Sequence, residues 1–480
     1  MKTMIAKGVA PLMAALLLSA CGLTPVFKQP ELPVPAAFKE TQPGVQLAAD
    51  GTRWKQARAA EQQARGEWWL AFADPTLTGL IAEAGAANQN LAVATARVKQ
   101  ARAIAGIAGA DRSPQVGFGA GVQRGTSPTE GGGPASTSYQ AQLTASYEVD
   151  LFGRVAANVS AARNDAATAE ANLRSVQLAL QADVAQTYFR LRATDAELVT
   201  LNDTVRLLEE NVKVNQRRFD LGDIGEFDLS RARTELARWR ADAIGLQRER
   251  AAAEHALAVL LGKPPAGFGL PSAPIADSST LPVIPAGLPS TLLERRPDIA
   301  AAQRTMEAAN ARIGVARAAM FPAIGIGASG GGVGGALSDV FKMSSKSWML
   351  GALLSLPVID GGRNKANVAR SEAVLEESVA EYRQKVLVAF SEVEDNLAGL
   401  RILSAQAEQV DEALASARRS ADLAQKLYDA GRSSYLDLLD AQRNLANVER
   451  SAVQLRGNHA VTTVALIRSL GGGWDAAPRG

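Results

Sequence analysis

The 480-residue chain is poor in the side chains that build most sites of chemistry. It has one Cys and two His. A single Cys excludes a disulfide scaffold and thiolate zinc or iron–sulfur sites. His255 and His459 alone leave little for an imidazole-based metal centre. Aromatic residues make up only 5%, which does not suit several compact cores. Charge of one sign is also missing. The 51 Lys and Arg against 49 Asp and Glu leave a net +2, no electrostatic footprint for nucleic acid. No apolar run long enough for a membrane-spanning helix follows the first residues, so no transmembrane helix is expected in the mature chain. What the sequence has instead is alanine, and long stretches without Pro or Gly.

The N-terminus reads as an export signal over 1–20. Lys2 and Lys7 precede an apolar stretch from Val9 to Ser19, about half the ~20 residues a spanning helix needs. It ends in Leu18-Ser19-Ala20-Cys21-Gly22, which resembles the bacterial lipobox. Cys21 is therefore the expected lipidation site, and two or more acyl chains would hold the protein stably on a membrane. Gly22, in place of the Asp that retains some lipoproteins on the inner membrane, favours the outer membrane. Residues 21–67 carry Pro25, Pro30, Pro33, Pro35 and Pro43 without helical periodicity and read as an extended tether.

The rest of the chain is written twice. A shift of 209 pairs Asp220 with Asp429, Gly222 with Gly431, Asp228 with Asp437, Leu236 with Leu445, and Gly262 with Gly471. Nearer the N-terminus the shift is 208, pairing Gly106 with Gly314, Pro114 with Pro322, and Gly117 with Gly325. Matches of Gly, Pro and Asp at one register mark an internal repeat. The units are 68–262 and 291–471, joined by a Pro-rich crossover over 263–290 and followed by a tail over 472–480.

Each unit has the same predicted order: a helix (about Pro75–Asp111; Pro297–Met320), a strand pair within 115–149 or 323–356, a long helix (155–219; 364–428), and a shorter one (226–262; 435–471). Tyr139–Val149 alternates apolar and polar residues, and Trp348, Leu350, Ala352, Leu354 and Leu356 repeat the apolar series. Runs of about 10 residues match tilted membrane strands. Partner strands are expected at Gln115–Gln123 and Ala323–Ser329, with Gly/Ser-rich loops at Thr126–Ser138 and Gly330–Ser345. Four strands cannot close a barrel, and an open edge cannot sit in lipid, so a membrane barrel would be shared by several copies. Each long helix would reach on the order of 100 Å at ~1.5 Å per residue. The two shorter helices, stacked end to end beside it, would complete a wall of even length.

These residues resemble the outer membrane factors, TolC-like and OprM-like efflux ducts, in their lipoprotein branch. The resemblance rests on Trp68-Trp69-Leu70-Ala71-Phe72-Ala73-Asp74-Pro75, Leu293-Glu294-Arg295-Arg296-Pro297-Asp298-Ile299, Ala319-Met320-Phe321-Pro322, Tyr435-Leu436-Asp437-Leu438-Leu439-Asp440-Ala441-Gln442 and Leu470-Gly471-Gly472-Gly473-Trp474. It implies a mixed, mainly α fold. The assembly it implies is a homotrimer, with a 12-stranded outer-membrane β-barrel continued by a 12-helix periplasmic α-barrel. The implied partners are a periplasmic adaptor and an inner-membrane transporter, proton-driven, and the implied function is passive efflux of small molecules. Type I protein secretion, metal efflux and a structural periplasm-spanning lipoprotein are the alternatives.

No enzyme chemistry is expected. Gly325-Ile326-Gly327-Ala328-Ser329-Gly330 matches G-x-G-x-x-G, but glycines rather than a helix follow it, so it reads as a strand end entering a loop. No nucleotide-binding P-loop, catalytic pair, cofactor site or metal site is predicted. The turns at Gly222 and Gly431 would supply the left-handed residues of helix C-caps. By resemblance, Gly222, Asp223, Phe227, Gly431, Arg432 and Tyr435 belong to periplasmic tips that meet the adaptor. Asp422, nine residues before Gly431, stands where the gate carboxylate of TolC-like proteins stands. Arg418, Arg419 and Asp411 are the other gate candidates, with ion pairs from the Arg residues holding helices shut.

Overall fold

The computed structural model describes residues 23–32, 34–35, 37–40, 67–126, 135–275, 282 and 295–472. The export signal, Cys21, half of the crossover and nearly all of the tail lie outside them. The elements run α1 (Pro75–Ala87), α2 (Gln89–Ala110), β1 (Gln115–Gly125), β2 (Ser136–Val149), α3 (Arg154–Asp220) and α4 (Glu226–Leu260). They continue with α5 (Pro297–Ala318), β3 (Ala323–Gly334), β4 (Lys346–Ser355), α6 (Arg363–Asp429) and α7 (Tyr435–Ser469). Both long helices have 67 residues, α4 and α7 have 35, and α2 and α5 have 22. The chain divides into two compact units.

The first unit comprises 96–171, 301–385 and the described part of 1–32. Its centre is one antiparallel sheet in the order β1-β2-β3-β4. The register puts Phe118 opposite Leu143, Leu143 opposite Gly330 and Gly330 opposite Trp348. One continuous face therefore carries Val116, Phe118, Val122, Leu143, Tyr147, Ile326, Trp348, Leu350 and Leu354. The other carries Gln140, Gln142, Thr144, Ser146 and Glu148 with columns of glycine. β4 is less regular than β2, because Met349 and Leu353 stand on this second face.

β3 is longer than its sequence suggests. Gly331, Gly332 and Gly334, expected in a loop, are strand residues paired with β2. A Cβ on Gly331 would run into the backbone of Ala141 and Gln142, and one on Gly332 or Gly334 into the short turn Leu337–Phe341. Glycine here serves close backbone approach, not flexibility. Below the sheet Val155, Val159 and Ala162 of α3 pack on Ala108 of α2. The segment read as a tether is packed as well: Asn310 donates to the Pro25 carbonyl (2.8 Å), and Gly314 faces Thr24 so closely that a methyl would not fit.

The second unit comprises the described residues of 33–95, 172–300 and 386–480. The Trp-Trp motif opens it. Trp68, Trp69 and Phe72 are buried against Leu180, Tyr188 and Phe189 of α3 and Leu257 of α4. Asp74 then caps α1, accepting from the Leu77 N–H (3.0 Å) and the Tyr188 hydroxyl (2.6 Å), with Pro75 at the first helical position. The expected single helix over 75–111 is two. Asn88 has extended backbone (ψ 127°), and its side-chain oxygen accepts from the Leu91 N–H (3.1 Å), starting α2 afresh.

Two extended segments strap this unit. After α4 the chain returns to fully buried Asp195, which accepts from Arg250 Nε (2.7 Å), Arg192 Nη1 (3.1 Å) and the Ala273 N–H (3.0 Å). On the second repeat the strap comes from the N-terminal segment. Glu40 accepts from Arg401 (2.7 Å), and Glu394 from the backbone of Lys39 and Glu40 (2.7 and 3.1 Å). Arg401 occupies the register position of Arg192, so unrelated pieces of chain serve corresponding places in the repeats.

Candidate functional site

The two helical turns are built alike. At the end of α3 the Gly222 N–H donates to the Phe219 carbonyl (2.9 Å) and the Asp223 N–H to Arg218 (2.8 Å), with φ of Gly222 at +79°. At the end of α6 the Gly431 N–H donates to Tyr428 (2.9 Å) and the Arg432 N–H to Leu427 (2.8 Å), with φ at +68°. Both are Schellman caps, whose C′ residue favours glycine. Ser434 adds a capping box to α7, accepting from the Asp437 N–H (3.2 Å) while Asp437 accepts from the Ser434 N–H (2.9 Å).

Gly222, Asp223, Gly431 and Arg432 lie exposed at these turns. Phe227 is 71% exposed, with the Arg231 guanidinium 5.4 Å from its ring centre. Tyr435 differs from expectation. It is 8% exposed and packs with Leu438, Leu439 and Trp239, and burial pushes its hydroxyl up to about 12. Its ring packs inward and supports the turn. Sequence reasoning missed Leu221, which is 77% exposed. It also missed Tyr428, whose hydroxyl accepts from Arg218 (2.7 Å), tying α3 to α6.

The gate candidates do not form one cluster. Asp422 accepts from Arg419 (3.2 Å) and Lys426 (2.8 Å), and these cations hold its carboxyl below the usual range. Both partners sit one turn away on α6 itself, so these ion pairs do not join two helices. Arg418 does reach across, to Glu449 of α7 (3.2 Å). Asp411 lines a separate hollow of about 300 Å³ with Ser404, Arg456 and His459.

The ties between repeats involve other residues. Arg443 of α7 pairs with Glu235 of α4, which is 3% exposed. Arg450 of α7 pairs with buried Glu197 of α3. Gln442 accepts from Asn211 (2.9 Å) and donates to Gln425 (3.3 Å). A charge pattern on a solvated helix gives no signal that singles out these residues, because their burial depends on which helices meet.

Among the described residues no group of His, Cys, Asp and Glu is placed to hold a metal ion, and no helix is long and apolar enough to cross a membrane.

The profile of the outer membrane efflux protein family matches residues 80–263 and again 288–472. The cation efflux system protein CusC of Escherichia coli O6:H1 is 34% identical over 469 residues, 97% of this chain and 98% of its own. The solvent efflux pump outer membrane protein SrpC of Pseudomonas putida is 35% identical over 475 residues, covering 97% and 98%. The crystal structure of the open state of the Neisseria gonorrhoeae MtrE outer membrane channel superposes with a TM-score of 0.81 at 29% identity, over 94% of this chain and 98% of that one. Matched in both halves and related over nearly its whole length to such proteins, the chain belongs to the outer membrane efflux protein family.

Proposed function

We propose that three copies of this chain form one passive exit duct of a tripartite efflux system. The observation that carries this reading is the four-stranded sheet. It is apolar on one face and mainly polar or glycine on the other, and among the described residues β1 and β4 each leave an edge without a partner strand. An unpaired edge is not tolerated in lipid, and pairing β4 of one copy with β1 of the next removes every edge. Three copies then give a closed barrel with its apolar face toward lipid.

Cys21 carries the lipid in this reading. Thr24, three residues later, lies against Gly314 of α5, nine residues before β3 begins, so the acyl chains would enter the bilayer near the base of the barrel. The exposed turns at Gly222, Asp223, Phe227, Gly431 and Arg432 would meet a periplasmic adaptor. Energy would come from a proton-driven inner-membrane transporter, and the chain itself conducts without catalysing a reaction. Small organic molecules are the proposed cargo, supported by the resemblance to the solvent efflux protein. The similarity to CusC favours cations as the second reading.

The test is direct. The lipidated protein in detergent is expected to have the mass of a trimer and to conduct ions in planar bilayers. A monomeric, water-soluble protein with Cys21 intact would overturn the reading. Cys residues introduced at Ser127 and Ser338 are expected to label from outside intact cells, whereas a periplasmic spacer would leave them unlabelled.

A further inference from the structure

The register of β4 puts two large apolar side chains on the wrong face. Ser329 pairs with Met349 and Gly325 with Leu353, and those β3 residues share their face with Thr144 and Glu148 of β2. Met349 and Leu353 are 67% and 72% exposed. Leu353 also borders a cavity of about 450 Å³ with Glu148, Arg154 and Ser146. Val333 is a third apolar residue on this face, at the far end of β3.

Apolar side chains on a polar face usually find cover, and these have none. The adjacent column of β3 is Gly325, Gly327, Ser329 and Gly331, which offers almost no side chain to lie over them. On β1 the same face carries Gly117, Gly119 and Gly121 between Gln115 and Gln123, so the middle of β1 of a second copy beside β4 would offer no cover either. Met349, Gly351 and Leu353 thus make a short apolar strip flanked by glycine. A strip of this kind has no packing role within the sheet, and its methylenes and thioether remain available to a passing molecule.

Resting on the channel reading above, we infer that Met349 and Leu353 form an apolar contact strip in the lumen that selects for cargo with exposed hydrocarbon. Three copies would repeat it around the bore. Uncharged or amphipathic organic molecules would adsorb on it transiently, while small hydrated ions would pass without contact.

The test uses purified trimer in planar bilayers carrying potassium current, with tetraphenylphosphonium as an apolar cation and tetramethylammonium as a small one of equal charge. Met349→Ser with Leu353→Ser is expected to raise the half-blocking concentration of tetraphenylphosphonium about fivefold, given the apolar area withdrawn from contact. The effect of tetramethylammonium is expected to stay unchanged. Met349→Leu, which keeps the apolar surface, is expected to keep the block, and Gln142→Ser on the same face to leave it unaltered. Equal block in the double variant and the parent overturns the strip and leaves the channel intact. Loss of block in Met349→Leu also overturns it, since that points to the sulfur itself. Absence of any current through the parent trimer overturns the channel reading and the strip with it.

Discussion

Asn88 and Arg296 occupy the same position in the two repeats and hold the same target. Asn88 Nδ2 donates to the Leu260 carbonyl (2.8 Å), and Arg296 Nη1 to the Ser469 carbonyl (3.1 Å). Each carbonyl lies in the last turn of a 35-residue helix, where no backbone donor follows. Asn88 and Arg296 stand one residue before α2 and one before α5. The side chain just before each shorter helix therefore satisfies the last carbonyl of a 35-residue helix, the same device in both repeats.

Arg296→Ala is expected to be the more damaging of the two substitutions. Arg296 is 8% exposed, and it also donates to Asp298 (2.7 Å) and pairs with Glu392. Its removal strands a buried carbonyl and takes one partner from each of two partly exposed carboxylates, at a cost of about 2–3 kcal/mol. Asn88→Ala loses one cap and one carbonyl partner, about 1–2 kcal/mol. Asn88→Asp keeps the cap and loses only the donor, so it should fall between parent and Ala. Heat stability of the detergent-solubilised protein orders these variants.

The four C-cap glycines separate into two pairs. Gly222 and Gly431 have positive φ and open space where a Cβ would project. Alanine there pays only the left-handed conformation, about 1 kcal/mol. Gly262 and Gly471 also have positive φ, but a Cβ would meet the backbone of Ala87 or of Arg295. Gly262→Ala and Gly471→Ala are therefore expected to cost about 2–4 kcal/mol, since backbone must move. A uniform response across the four would contradict this packing.

His459 supplies a pH dependence. It stands at the register position of Arg250, and Ser404 at that of Asp195, so a neutral contact (Ser404 Oγ to Nε2, 3.4 Å) replaces an ion pair. Burial lowers its pKa, Nδ1 has no partner, and Asp411 and Arg456 line the same hollow. A depressed pKa means the unfolded chain binds the proton more readily. The contribution of His459 is then complete above about pH 6.5 and lost as the pH falls through the folded value. Heat stability should decline on acidification across that window, and His459→Gln should remove that part of the decline.

What the sequence made legible is what repeats or alternates. The duplication appeared through glycines that cap helices, whose φ leaves little choice of residue, and the sheet through the period of β2. Less was legible wherever the controlling contact is distant. Asn88 breaks a helix in sequence with no proline nearby, because its two amide ends serve two different helices. Gly331 to Gly334 look like loop until the proximity of Ala141 and Val340 is known. Tyr435 looks like a surface aromatic at a turn, and only the meeting of α4 with α7 buries it. The buried ties between repeats were hidden for the same reason. Asp422 carries a position that resembles a gate, whereas the ties between repeats lie at Glu235 and Glu197.

That division predicts opposite behaviour for two carboxylates. Asp422 is solvated and paired along its own helix, where exposed ion pairs contribute little to stability, so Asp422→Ala should leave heat stability unchanged. If three copies bring it to a common axis, the variant should still lower cation selectivity and raise leak of bulky antibiotics into the cell. Glu235 is buried and tied to Arg443 across the repeats. Glu235→Gln strands part of the arginine charge and should cost about 2–4 kcal/mol, with a heat-sensitive protein as the result. Arg443→Ala strands the carboxylate and should be at least as severe. Single-channel recording and heat stability on the same preparations separate the two roles. Asp422→Ala with parental conductance and parental leak removes that residue from the gate, and a heat-stable Glu235→Gln removes the buried pair from the structure's supports.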